Sequence, residues 1–205
     1  MSVKNNKVIP VLIFMIWSSS SVFAQTKDFG KNSIEAGVGL GVNEGWSELG
    51  MGFVYTLGFQ REIGLDGRLR INPNLLFGGF IPIGFTDTEE QFYRLTNLGV
   101  DVNYDLIRVK SVSLVVTAGA FASYSRGLIG TGGYWCVEEN EQSAYFSHVY
   151  FGAKGAFGIR LNPKKSKLSY ELRPINIHVG SRRFVLGYPM FEIAFKLHKK
   201  ATPSN

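Results

Sequence analysis

In the stretch LTNLGVDVNYDLIRV, from Leu95 to Val109, apolar and polar residues take alternate positions for longer than a soluble strand requires. Leu98, Val100, Val102, Tyr104 and Leu106 share one parity, and Asn97, Gly99, Asp101, Asn103 and Asp105 share the other. Successive side chains of a β-strand point to opposite faces, so this is a strand with one apolar and one polar side. Strands of soluble domains run about 5 to 6 residues, whereas this alternation lasts about as long as the 9 to 11 residues of a strand crossing a bilayer.

The pattern recurs and predicts eight extended segments: 32–42, 51–63, 68–80, 92–108, 112–125, 147–162, 167–179 and 183–197. No helical periodicity competes over a comparable length. One face collects Ile34, Ala36, Val38 and Leu40; Phe53, Tyr55, Leu57 and Phe59; Leu69, Ile71, Leu75 and Phe77; Leu114, Val116 and Ala118; Phe151, Phe157 and Ile159; and Phe191, Ile193 and Phe195. The other collects Glu35, Gly37, Gly39 and Gly41; Thr56, Gln60 and Glu62; Arg70, Asn72 and Asn74; Lys154 and Arg160; Glu171 and Arg173; and Glu192 and Lys196. In the seventh segment the apolar parity changes after Pro174, and a bulge there is the simplest repair, because proline offers no ladder N–H.

Period alone leaves open which face is inside. The connections GLDG (64–67), KSVS (110–113) and NPKKSK (162–167) are short and polar, while three of the other four are longer and the last, GSRR, is tight. Short turns alternating with longer loops is the asymmetry of an up-and-down outer-membrane barrel. Aromatics also gather toward the strand ends of the apolar face, as interfacial girdles require. The predicted fold is therefore all-β, an eight-stranded antiparallel up-and-down transmembrane β-barrel with lipid outside and a polar lumen. A secreted soluble barrel with the apolar face turned inward around an apolar ligand is the alternative.

The N-terminus sets the compartment. Lys4 and Lys7 precede the apolar run VIPVLIFMIW, and SSSSVFA ends in small or tolerated residues before Gln25, which reads as a signal peptide (1–24) cleaved after Ala24. The barrel then occupies 25–198, with a short periplasmic tail at 199–205. Loss of Lys4 and Lys7 lowers the formal charge from +6 to +4, a balance that does not demand nucleic acid. Cys136 is the only cysteine, so no internal disulfide forms.

The signal, the first strand EAGVGLGV, the dyad repeats and the closing FVLGYPMFEIAFKL resemble the small outer-membrane β-barrel proteins of Bacteroidota, whose architecture is like that of the OmpA membrane domain. The resemblance implies the fold, an outer-membrane location in contact with lipid, and recognition by the barrel-assembly machinery through a final-strand aromatic such as Phe195. It says little about activity.

Chemistry is sparse. GVGLGV (37–42) has glycines at every second position and opens no helix, unlike a dinucleotide fingerprint; glycines making room in the lumen fit better. Ser147 and His148 are adjacent, and adjacent strand residues face opposite ways, so they are poorly disposed to share a proton. His148, His178 and His198 lack metal-ligand spacing. No catalytic residue, metal or cofactor is expected, and a lipid-modifying outer-membrane enzyme remains the second functional reading. Tyr134, Trp135, Glu138 and Glu139, in the longest loop beside Cys136, are candidates for binding an unidentified extracellular ligand or protein; a loop anchored over the barrel mouth by Trp135 reads the same residues equally well. An eight-stranded barrel is filled by its side chains, so enclosed charges must pair. Arg173 and Glu192 are expected to pair, with Lys154 and Asp101 in the same network.

Overall fold

In the computed structural model of the chain, the described residues are 29–198, apart from 47, 65, 84–90, 131–142 and 164. The signal segment, the tail and the loop residues Tyr134, Trp135, Glu138 and Glu139 lie outside them.

Eight strands follow one another: β1 Phe29–Glu44, β2 Leu49–Ile63, β3 Leu69–Pro82, β4 Phe92–Val109, β5 Val112–Gly130, β6 Ser143–Leu161, β7 Leu168–Gly180 and β8 Val185–His198. Each pairs antiparallel with its sequence neighbour, and β8 returns to β1, closing the barrel. Closure leaves no free sheet edge, the condition a strand-built membrane protein must meet.

The apolar parity faces outward. Leu98, Val100 and Val102 are 61%, 51% and 42% exposed, while Asn97, Asp101 and Asn103 between them are buried. The same holds around the barrel, from Ile34 and Val38 through Phe53 and Phe151 to Phe191 and Phe195. A soluble core is thereby inverted, and a water-soluble barrel with an apolar interior ligand site does not fit this orientation.

The turn-side connections are tight. Lys110 and Ser111 alone join Val109 to its cross-strand partner Val112, and Lys110 takes φ 55°. The turn after β2 has Gly64 and Gly67 at φ 80° and 58°, a backbone that glycine adopts without a Cβ penalty. At the other end, β5 and β6 remain paired as far as Gly130 and Ser143, well past the expected ends at 125 and 147. A tilted strand gains about 2.5 Å of height per residue, so about ten residues span the 25 Å apolar band. These 19-residue strands therefore project beyond it on the loop side.

Pro174 sits at an irregularity on both of its neighbours. Register slips between Phe157 and Ile159 on β6 and between Arg173 and Asn176 on the β8 side. Leu172 and Ile175 both end up exposed on the outer face, which is the parity change visible in the sequence.

Candidate functional site

The lumen is the one enclosed environment in the described residues, and it has two storeys of different chemistry. The turn-side storey is ionic. Arg70 Nη2 on β3 reaches Asp105 Oδ1 on β4 at 2.6 Å, and Arg70 Nη1 lies 3.8 Å from Glu171 Oε2 on β7. Glu171 Oε1 accepts from Arg173 Nε at 2.6 Å, and Arg173 Nη2 stands 3.0 Å from Glu192 Oε2 on β8. This last contact is a charge pair without the alignment of a hydrogen bond. The run of alternating charge crosses the lumen from wall to wall. Asp105 also takes Arg108, whose guanidinium donates to the carbonyls of Asp66 and Gly67 and ties down the β2–β3 turn.

A second cluster lies beside it. Lys154 Nζ is 2.7 Å from Asp101 Oδ1 and donates to Asn74 Oδ1 at 2.8 Å, while Asn74 Nδ2 donates to Asp101 Oδ2 at 2.8 Å. Asn72 Nδ2 donates to Glu35 Oε2 at 2.6 Å. Arg173, Glu192, Lys154 and Asp101 thus form two pairs rather than one bonded chain. Both pairs border the same cavity of about 20 Å³, about the room one water needs.

Glycine makes this crowding feasible. A Cβ on Gly99 would lie 2.5 Å from Lys154 Nζ, and one on Gly119 would collide with the Asp101 carboxylate and the Val100 carbonyl. Gly37 likewise leaves space for Thr56 and Glu192.

The loop-side storey is apolar and aromatic. Phe80 stacks on Tyr93 at 5.2 Å, Tyr150 on Phe184 at 4.7 Å, and Phe121 packs against Phe184 and His178. Val54, Leu76, Leu95, Leu186, Tyr188 and Met190 complete the plug. His178 Nε2 is 2.9 Å from Tyr188 Oη, and its Nδ1 is 3.4 Å from Asn97 Nδ2, so the imidazole is held inside the plug. Arg160, directly opposite Glu171 in register, is buried and donates to Gln60 and Ser169.

This upper plug was missed in the sequence because its members share the polar parity. Phe80 beside Ile81, Tyr93 beside Phe92 and Tyr150 beside Phe151 put apolar groups on both faces, and the alternation that marks a face disappears. Glu171, Arg70 and Asp105 lay on the expected face, but their role needs contacts across the lumen. Glu171 stands directly opposite Glu192 in register, and Arg173 bridges the two.

Ser147 and His148 diverge as their adjacency implies. Ser147 faces outward and donates to Tyr124 Oη at 3.1 Å, whereas His148 turns inward toward the rings of Phe146 and Tyr150. The pair does not form a nucleophile and base.

A closed antiparallel barrel of eight strands, apolar outside and packed with side chains inside, defines the class: a small transmembrane β-barrel. Among solved structures the chain is similar to Neisserial surface protein A, at 8% identity over 83% of this chain and 100% of that one, with a TM-score of 0.56. It is also similar to Ail, the attachment invasion locus protein of Yersinia pestis (14% identity, the same coverage, TM-score 0.49). A third is the N-terminal β-barrel domain of Pseudomonas aeruginosa OprF (9% identity, the same coverage, TM-score 0.46). No protein-family model matches the sequence, and no curated protein does. At such low identity the likeness to Neisserial surface protein A is one of fold.

Proposed function

We propose that the protein is an integral outer-membrane barrel without catalytic activity, a rigid scaffold that presents its loop end at the cell surface and helps to hold the envelope together. The observation that carries this reading is the filled lumen. Ion pairs occupy the turn-side storey, aromatic rings the loop-side storey, and the cavity between them measures about 20 Å³. Such an interior is built for rigidity rather than passage. The resemblance of fold to a protein named for the surface agrees with it.

In this reading residues 1–24 direct export and are removed near Ala24, and the barrel-assembly machinery takes β8 through Phe195, which faces outward. Outer-membrane lipid is the constant partner, and nucleic acid is not one. The loop that carries Tyr134, Trp135, Glu138 and Glu139 supplies contact area for an extracellular ligand or protein, because exposed aromatics on loops concentrate binding energy. The first strand EAGVGLGV and the closing FVLGYPMFEIAFKL resemble those of small barrels of Bacteroidota, and in this reading the chain is one of that kind. Planar-bilayer recordings test the scaffold reading. Insertion without steady ohmic conductance is expected; a stable open-channel current would show a water path and refute it.

A further inference from the structure

On β4, β5 and β6 the outer surface of the barrel carries a row of polar side chains where lipid headgroups of the loop-side leaflet would lie. Counting about ten residues upward from the turn-side apolar residues Leu106, Leu114 and Ile159 brings β4, β5 and β6 to Thr96, Tyr124 and Val149 at the top of the apolar band. Thr96 pairs with Tyr124 and Tyr124 with Val149, so the three form one cross-strand row near the top of the band, slanted by the strand tilt by about 3 Å of height per strand. The next outward row is Arg94, Arg126 and Ser147, again directly paired.

Arg94 and Arg126 are therefore two exposed, like-charged side chains opposite each other on neighbouring strands. Like charges in that position oppose the pairing of the strands. Neither forms an ion pair with an acidic side chain among the described residues. Each lies over an aromatic ring of its own strand, Arg94 over Phe92 at 5.7 Å and Arg126 over Tyr124 at 5.9 Å. Tyr124 is in turn held by Ser147. The rings keep both guanidiniums close to the wall, and the next row, Phe92, Leu128 and Tyr145, places aromatic groups above them as well as below. Aromatic residues at this level mark the membrane–water interface.

We propose that Arg94 and Arg126 form a site for the phosphate of an anionic membrane lipid in the loop-side leaflet. Arg94 leans loop-side over Phe92 and Arg126 turn-side over Tyr124, and an anion seated between the two strands draws both forks off their rings into charge-assisted bonds of a planar geometry that ammonium groups reproduce less well. The anion removes the repulsion across the strands, and its acyl chains lie along Thr96, Leu98, Ala122 and Val149 beneath. The site rests on the barrel reading of the preceding section, since a phosphate reaches this row as a headgroup only if the band below is in hydrocarbon.

Native mass spectrometry of the barrel, refolded in neutral detergent, tests the proposal with lipid A, phosphatidylglycerol, phosphatidylcholine and inorganic phosphate as separate probes. Retention of lipid A or phosphatidylglycerol over phosphatidylcholine is expected. The R94Q/R126Q variant should lose that preference by about tenfold or more, through loss of two charge-assisted contacts. R126Q alone should show a smaller loss, and R94K/R126K should keep part of the preference. R61Q, on the outward face at the turn-side end, should leave it unchanged. Equal retention of charged and neutral lipids, an R94Q/R126Q variant that retains anionic lipid like the unmodified protein, or binding of inorganic phosphate as tight as that of the lipids would overturn it. Heat-dependent gel mobility of each sample separates the two levels: a folded barrel without lipid preference refutes this site alone, whereas a chain that forms no detergent-held barrel refutes the membrane reading beneath it.

Discussion

Replacing Val100 with arginine tests which medium the apolar face meets, and the structure supplies a gradient against which to read it. Val100 is outward and 51% exposed. The apolar band on β4 runs from about Leu106 to Thr96, which places Val100 near its centre and Thr96 at its loop-side edge. A lipid-facing arginine costs about 2–4 kcal/mol at the midplane and about 0–1 near the interface. Val100→Arg should therefore destabilise the barrel by the larger amount and Thr96→Arg by the smaller. Two residues further along the same face the native residue is already Arg94, so the chain itself tolerates the charge at that height. Reversible denaturant unfolding in phosphatidylcholine vesicles gives the three free energies directly. Equal costs at Val100 and Thr96, or a neutral Val100→Arg, would refute the assignment of this face to lipid and of Val100 to its middle.

The lumen yields further tests. Arg173→Ala leaves Glu171 and Glu192 buried and directly opposed, and stripping one partner from a buried charge pair costs about 3–5 kcal/mol; adding E171Q and E192Q should recover much of that loss in unfolding titrations, and no recovery would mean that the charges are not coupled. Gly119→Ala drives a methyl into the Asp101 carboxylate and the Val100 carbonyl and should cost about 1–3 kcal/mol, whereas Gly155→Ala meets nothing nearer than the Thr117 carbonyl at 3.8 Å and should be near neutral. Glu48, buried in the connection between β1 and β2, has its carboxyl held above its ordinary value by burial. Its folded state prefers the proton, so its contribution is present below the unfolded pKa and is lost as pH rises through the raised folded value. Stability should fall more steeply as pH rises above the ordinary carboxylate range of about 4 in the unmodified protein than in Glu48→Gln, and identical profiles would exclude Glu48 as the titrating group.

The face assignment was legible because a two-residue period is local. Leu98 and Val100 against Asn97 and Asp101 need no knowledge of the rest of the chain, and Pro174 marks its own bulge by removing a ladder donor. Pairing around the wall was nearly as accessible, since each strand meets its sequence neighbour. Contacts across the lumen were not. Arg70 meets Glu171 only through the stagger of the closed barrel, and no spacing in the sequence encodes that distance. The same stagger separates Lys154 and Asp101 from Arg173 and Glu192, leaving two pairs around a shared cavity. The aromatic plug was hidden because Tyr93, Tyr150 and Phe80 abut outward aromatics or aliphatics. The overlong β5 and β6 were hidden because GLIG (127–130) and SAYF (143–146) have no clear alternation once the strand leaves the membrane.

Gel mobility of the outer-membrane fraction, run with and without boiling, tests the central claim most directly. A closed barrel that survives detergent should appear in that fraction and migrate differently when unheated, the shift disappearing after boiling. Recovery in the soluble fraction with one mobility under both conditions would contradict the account, because a face carrying Leu98, Val100 and Val102 outward could not then be the surface of the folded protein.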